Sequence, residues 1–209
     1  HYRATFEHLA RKGVAVLFPA YDKGFFDHDW SRMGQDFARL ADCAIAQDWR
    51  LDEGKVIYSG HSKGAYVAQI AAGKAAETRI RTAPKAVVLF EPAGADLSTL
   101  GTMDPDSTLT VVFADHDSTV RRQYSEQIFT SAASRKRQFI LMHSYQGFGM
   151  DLSADHFWPL TAKFLLVGGD EGPFHYYGSW KWLVGAAQDI EQGARADNRY
   201  VYGDLAADK

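Results

Sequence analysis

The chain has 209 residues, 46% hydrophobic and 23% charged, values that exclude global disorder and fibrous architectures and suit one globular domain. A charge balance of 23 basic against 26 acidic residues gives a formal −3, with no basic excess to hold nucleic acid. No apolar run approaches the ~20 residues needed to span a bilayer, and the single cysteine, Cys43, excludes an intrachain disulfide or a multi-cysteine metal site.

In chain order, Tyr2, Phe6, Leu9 and Ala10 share one helical face, with Gly13 placed to stop that helix. A continuous apolar run, Val14 to Phe18, follows and reads as a strand. Met33, Phe37, Leu40, Ala41, Ala44 and Ile45 mark a longer helix, with Ser31 as its expected N-cap. Four more apolar runs are expected to be strands: Lys55 to Ser59, Ala86 to Phe90, Leu109 to Phe113 and Gln138 to Met142. Each is continuous rather than alternating, the pattern of strands covered on both faces in a parallel sheet. Helices are expected between them, one with the small face Ala65, Ala68, Ala72 and Ala75, and one marked by Val120, Tyr124 and Ile128. A further helix is expected on Phe157, Leu160, Thr161, Phe164 and Leu165. The repeated strand–helix order predicts an α/β fold, a doubly wound, mostly parallel sheet with helices on both faces. The texture changes after the glycine-rich stretch Gly168 to Gly172, so residues 1–170 are expected to form the core. Residues 171–209 are then a C-terminal helical extension packed on it, marked by Trp180, Leu183, Val184, Ala187 and Ile190.

The chemistry lies in Ser59-Gly60-His61-Ser62-Lys63-Gly64, a G-x-S-x-G between an apolar strand and a small-faced helix. A serine at a sharp strand-to-helix turn has strained backbone angles and an exposed hydroxyl, and its flanking glycines let strand and helix approach. The helix N-terminus and the Lys63 N–H then face any developing oxyanion. A serine hydroxyl needs a general base, and the base an orienting acid. The acid is expected after the strand Leu109 to Phe113, where Asp115 and Asp117 both stand. Asp117, beyond the turn, is the favoured one, and Glu91 is a further alternative with a loop-ordering role as its competing use. For the base, His143 ends a strand, whereas His156 lies in a loop able to carry an imidazole over the strand ends, so His156 is favoured. His61 is expected to pack or hydrogen-bond beside the nucleophile, near substrate. No metal site is expected: the Asp/His-rich loops at 27–29 and 115–117 hold adjacent residues, which rarely converge on one ion.

These segments resemble the α/β-hydrolase superfamily: Gly60-His61-Ser62-Lys63-Gly64, Ala114-Asp115-His116-Asp117 and Asp155-His156-Phe157 occur in its order over residues 1–168. Leu89-Phe90-Glu91-Pro92-Ala93-Gly94-Ala95-Asp96 is similar to chlorophyllase-like and polyester-hydrolase-like members. The resemblance implies a Ser62–His156–Asp117 esterase with an acyl-enzyme intermediate and no cofactor, acting on a small-molecule ester. A peptidase, thioesterase or acyltransferase would use the same three residues, and a non-catalytic binding protein could keep the shell. Phe25, Phe26 and Trp30, with Tyr145, Phe148, Phe157 and Trp158, are aromatics near the strand ends, and they suggest an apolar ester whose substrate-binding residues include Phe25 and Trp158. The resemblance further implies a strand between Val14–Phe18 and Lys55–Ser59, and a loop after it bearing the second oxyanion donor. Neither is found in this sequence, and a segment ahead of His1 is therefore expected.

Overall fold

A computed structural model describes residues 1–20, 28–47, 50–78, 80–163, 168–169 and 171–193. Four parallel strands form the sheet in the order β1 (Ile57–His61), β2 (Ala86–Phe90), β3 (Thr108–Ala114) and β4 (Lys136–Met142). Sequential parallel strands need crossovers, and the helices supply them. Helix α3 (Lys63–Thr78) links β1 to β2, the short α4 (Leu97–Leu100) lies between β2 and β3, and α5 (Arg122–Ser131) links β3 to β4.

The two faces of the sheet separate by residue parity. On β2, Val87 and Leu89 join Ala65, Ala68, Ala71 and Ala72 of α3, Ala38 of α2 (Trp30–Ala46) and Ile128 of α5. Ala86, Val88 and Phe90 turn to the opposite layer, Leu9 of α1 (Arg3–Arg11) and Trp182, Leu183 and Ala186 of α6 (Trp180–Glu191). Every residue of β2 is buried, as its unbroken apolar run requires. The expected boundary at residue 170 falls between the sheet and α6, one of the two helices covering that face. A π-helical turn, His175–Ser179, leads into α6. A small hairpin, β5 (Tyr145–Gly147) and β6 (Met150–Leu152), precedes the loop that carries His156.

Three local expectations are corrected. Val14–Phe18 is not a strand. Val56 O accepts from Lys85 N and Ser62 N donates to Phe90 O, so even-numbered residues here face β2. The backbone groups of Ile57, Ser59 and His61 therefore face the other way, into a groove of about 280 Å³ that separates them from Val14–Phe18. With no strand within pairing distance among the described residues, an apolar run cannot close a ladder. The helix expected around Phe157 is a single turn over residues 156–159, because Pro159 has no N–H to give and Trp158 and Leu160 are drawn into the core; Phe164 and Leu165 lie outside the described residues. The N-cap of α2 is Asp29, not Ser31: its carboxylate accepts from Arg32 N at 3.1 Å.

Close approach holds the α3 side together. A Cβ on Gly73 of α3 would lie 2.2 Å from Thr99 O, a backbone atom that cannot swing aside. An alanine gains about 1 kcal/mol in helix propensity, but the overpacking cost of about 1–3 kcal/mol opposes it. Gly73→Ala is therefore expected to lower the urea midpoint of unfolding, and an unchanged or raised midpoint would show that α4 yields freely.

Candidate active site

The turn from β1 into α3 sets the geometry. Ser62 has φ +55°, a left-handed conformation that costs a non-glycine residue about 1–3 kcal/mol. The surroundings hold it there: Ser62 N–H donates to Phe90 O at 3.0 Å, and Ser62 O accepts from the N–H groups of Ala65, Tyr66 and Ala93. Gly60 explains why the pattern needs glycine, since a Cβ there would lie 2.3 Å from the backbone C and O of Gly64. Lys63 opens α3, so its amide belongs to the helix turn whose N–H groups point out of the N-terminus.

His156 lies across from Ser62. Its Nε2 is 2.9 Å from Ser62 Oγ and its Nδ1 is 2.7 Å from Asp117 Oδ2. A carboxylate only accepts, so Nδ1 carries the proton and Nε2 is left to accept from the serine hydroxyl. The Asp117 side chain is out of contact with solvent, and that of His156 is 4% exposed. Burial alone would raise the Asp117 pKa, but the hydrogen bonds from His156, Val120 N and Thr119 N outweigh it and hold the carboxyl below its ordinary range. Asp117 Oδ1 accepts from Thr119 N at 2.7 Å and Val120 N at 3.0 Å, which fixes the side chain in its loop. The two loops are also tied together, because His116 N donates to Ala154 O at 3.0 Å.

The competing residues go elsewhere. Asp115 accepts from Ser144 N and Ser144 Oγ and pairs with His143 Nδ1 at 3.1 Å, with the His143 side chain 68% exposed. The structure thus brings Ser62, His156 and Asp117 into one chain of hydrogen bonds and leaves Asp115 and His143 as a separate pair at the surface.

A second polar layer lies beneath this chain. His61 Nε2 is 2.7 Å from His156 O, and its Nδ1 is 2.7 Å from Tyr2 OH. A carbonyl only accepts, so Nε2 bears the proton, and Nδ1 accepts from the tyrosine hydroxyl. His61 thus anchors the backbone of His156 to β1, and its ring also lines the groove along that strand. Burial, then the neighbouring His156, pushes the His61 pKa down from 6.5 to about 3. Glu91 ends β2 with φ +49° and a side chain wholly out of solvent. Its Oε1 accepts from Trp158 Nε1 at 2.8 Å. Its Oε2 has no hydrogen-bond partner among the described residues, although it lies 3.2 Å from His61 Nε2, because that N–H is spent on His156 O. Burial, then the charge of Asp117, raises the Glu91 pKa well above the ordinary carboxyl range.

Trp158, expected beside substrate, is instead a core residue: 6% exposed, it meets Phe90, Phe174 and Trp182 edge to face. Phe25 and Phe26 lie outside the described residues. Trp30 stacks at a tilt on Tyr66, with Lys63 Nζ 5.6 Å from its ring centre. Tyr2 was not among the sequence candidates, since nothing in its local pattern distinguishes it from the apolar face of α1. Ligand atoms of His61, Glu91 and His156 lie within 4.8 Å of one another, a spacing that could enclose a cation. Both nitrogens concerned carry protons directed at His156 O and Asp117, so this set does not suit a metal.

No protein-family model matches the chain, and no curated protein matches it. Solved structures do. A dienelactone hydrolase-like promiscuous phosphotriesterase from metagenomic libraries is 16% identical, with a TM-score of 0.56 over 77% of this chain and 61% of that one. An α/β serine hydrolase homologue from Coxiella burnetii is 18% identical, with a TM-score of 0.48 over 74% of this chain and 67% of that one. A carboxylesterase-like protein from Lactobacillus plantarum is 16% identical, with a TM-score of 0.47 over 76% of this chain and 75% of that one. The parallel sheet, its helix layers and the first of these likenesses define an α/β-hydrolase fold. The chain spans about three-fifths of the length of that first structure, 61%.

The two buried groups under His156 have opposite linkage. His61 is neutral when folded and protonated when unfolded below pH 6.5, so its contribution to stability is lost as pH falls from 6.5 toward 3. Glu91 keeps its proton when folded and loses it when unfolded above 4.5, so its contribution is lost as pH rises beyond that value. Below pH 4.5 Glu91 is protonated in both states, so of these two groups only His61 then changes stability with pH. Relative to His61→Gln, the wild type is expected to lose about 1.4 kcal/mol per pH unit between pH 4.5 and 3 in urea titrations. Parallel curves for the two proteins would show that His61 is protonated in the fold.

Proposed function

We propose that the protein is a serine hydrolase that cleaves carboxylic esters through an acyl-enzyme. The observation that carries this reading is the orientation of His156, with Nδ1 held by Asp117 and Nε2 facing Ser62 Oγ at 2.9 Å. That is the tautomer a general base requires. Ser62 attacks the ester carbonyl carbon and passes its proton to His156 Nε2. The carbonyl oxygen, now charged, is held by the Lys63 N–H at the N-terminus of α3. Collapse of the tetrahedral species breaks the bond to the alcohol, which takes the proton from His156. Water then enters, gives a proton to the same nitrogen and releases the acid.

An apolar groove runs along β1 beside the nucleophile turn. Its walls include Phe6, Leu9, Val16, Phe18 and Phe37, next to Gly60 and His61. The same groove exposes the outward backbone groups of β1, and a further parallel strand there would both pair with β1 and draw Val14–Phe18 into the sheet. A loop leaving such a strand is our proposed source of the second oxyanion donor.

A fluorophosphonate probe is expected to label Ser62 in the wild type, with labelling lost in Ser62→Ala and reduced about 10³-fold or more in rate in His156→Ala. An unlabelled wild type that is folded by circular dichroism would reject the reading. Substrate class is tested with p-nitrophenyl carboxylates of increasing chain length against a p-nitrophenyl phosphotriester, since all release the same chromophore. Faster turnover of the carboxylates is expected, and faster turnover of the phosphotriester would overturn the ester assignment.

A further inference from the structure

We propose that Glu91 is a second acid facing His156, a positioning residue that supports the imidazole Nδ1–H from the side opposite the Trp158 anchor and takes over that hydrogen bond when Asp117 is removed. The inference rests on the reading of Ser62, His156 and Asp117 as nucleophile, base and acid.

The geometry has three parts. Glu91 Oε2 lies 3.8 Å from His156 Nδ1, the nitrogen that Asp117 Oδ2 already holds at 2.7 Å. Two carboxyl groups thus face one imidazole N–H, Asp117 bonded to it and Glu91 just beyond bonding distance. Second, Glu91 is aimed rather than loose: its backbone N–H donates to Val112 O at 2.9 Å, Pro92 follows, and Oε1 is fixed by the Trp158 indole. Third, Oε2 is the atom left without a hydrogen-bond partner, and it points at the imidazole pair His61 and His156. A fully buried polar atom with no partner is costly unless it has a use.

The groups around Glu91 decide its charge. His61 from β1 is neutral; Trp158 offers an N–H; Asp117 after β3 and Asp155 in the histidine loop repel a second negative charge; His156 faces it from the same loop. Burial and the charge of Asp117 both favour the protonated form of Glu91. Replacing Asp117 by asparagine removes one of the causes that hold the proton on Glu91. Its carboxyl can then ionise, releasing that proton to water, and Oε2 can accept from Nδ1–H once the ring moves by about 1 Å. No covalent bond changes, and the proton count at His156 is preserved.

The test is a double-mutant cycle with Asp117→Asn, Glu91→Gln and the double variant. Glutamine keeps an oxygen for the Trp158 N–H. The readouts are the downfield imidazole Nδ1–H signal in proton NMR, and kcat/KM for p-nitrophenyl acetate across pH. The Nδ1–H signal is expected to persist in Asp117→Asn and to vanish in the double variant. Glu91→Gln is expected to cost about 10-fold more in kcat/KM in the Asp117→Asn background than in the wild type. The residual rate of Asp117→Asn is expected to rise with pH through two ionisations, those of His156 and Glu91, and that of the double variant through the His156 ionisation alone. Equal costs in both backgrounds, with the signal lost in Asp117→Asn alone, would overturn the proposal. If Glu91→Gln does not fold, an absent signal in Asp117→Asn overturns it by itself. The NMR arm needs no turnover, so a wild type that cleaves no ester rejects the hydrolase reading while the signal still decides the role of Glu91.

Discussion

The contact between β1 and α3 across Gly60 and Gly64 is the constraint on which the site depends. Strand and helix come so close that a single methyl at Gly60 would overlap the Gly64 backbone. That proximity forces the intervening residue into a left-handed conformation, and the bonds from Ser62 N to Phe90 O and from three amides to Ser62 O hold it there. The hydroxyl is lifted over the strand ends as a consequence. Loosening the pair would let Ser62 relax toward an ordinary φ and swing Oγ away from His156. The small face of α3 belongs to the same constraint, since Ala65, Ala68, Ala71 and Ala72 let the whole helix lie on the sheet at this spacing.

His156 is positioned by the backbone more than by its own loop. It follows a hairpin and precedes only a single helical turn. Its carbonyl is nevertheless fixed by the His61 ring, and His61 sits on β1 one residue before Ser62. Ser62 and His156 are therefore referenced to the same strand. A neutral His61 suits that task, because its Nε2–H is then free to hold the His156 carbonyl while Nδ1 accepts from Tyr2.

Much of this was legible in the sequence because the information is local. The run Ala86 to Phe90 coincides with β2, and Gly60, Ser62 and Gly64 are readable because the steric demand falls on neighbouring residues. The preference for Asp117 over Asp115, and for His156 over His143, followed from loop position, and the hydrogen bonds group the residues in that way. What was not legible depends on distant pairing. Val14–Phe18 has the composition of a strand, but a strand exists only if another lies beside it. Trp158 has the composition of a loop aromatic near a site, yet its indole N–H is satisfied by Glu91, 67 residues away in sequence, and its ring fills the core. Tyr2 reaches His61 across 59 residues for the same kind of reason.

Glu91 shows how the two layers of the site constrain each other. A buried acid close to Asp117 raises the cost of ionising either one, so a single negative charge is favoured beneath His156. The hydrogen bonds decide which. Asp117 receives two backbone amides besides the imidazole, whereas Glu91 receives one indole N–H and leaves an oxygen without a partner. Three donors against one outweigh the burial that both share, so the charge settles on Asp117 and the proton on Glu91. That distribution keeps the charge on the side of the ring where Nδ1–H already points, and it fixes the tautomer that leaves Nε2 open toward Ser62.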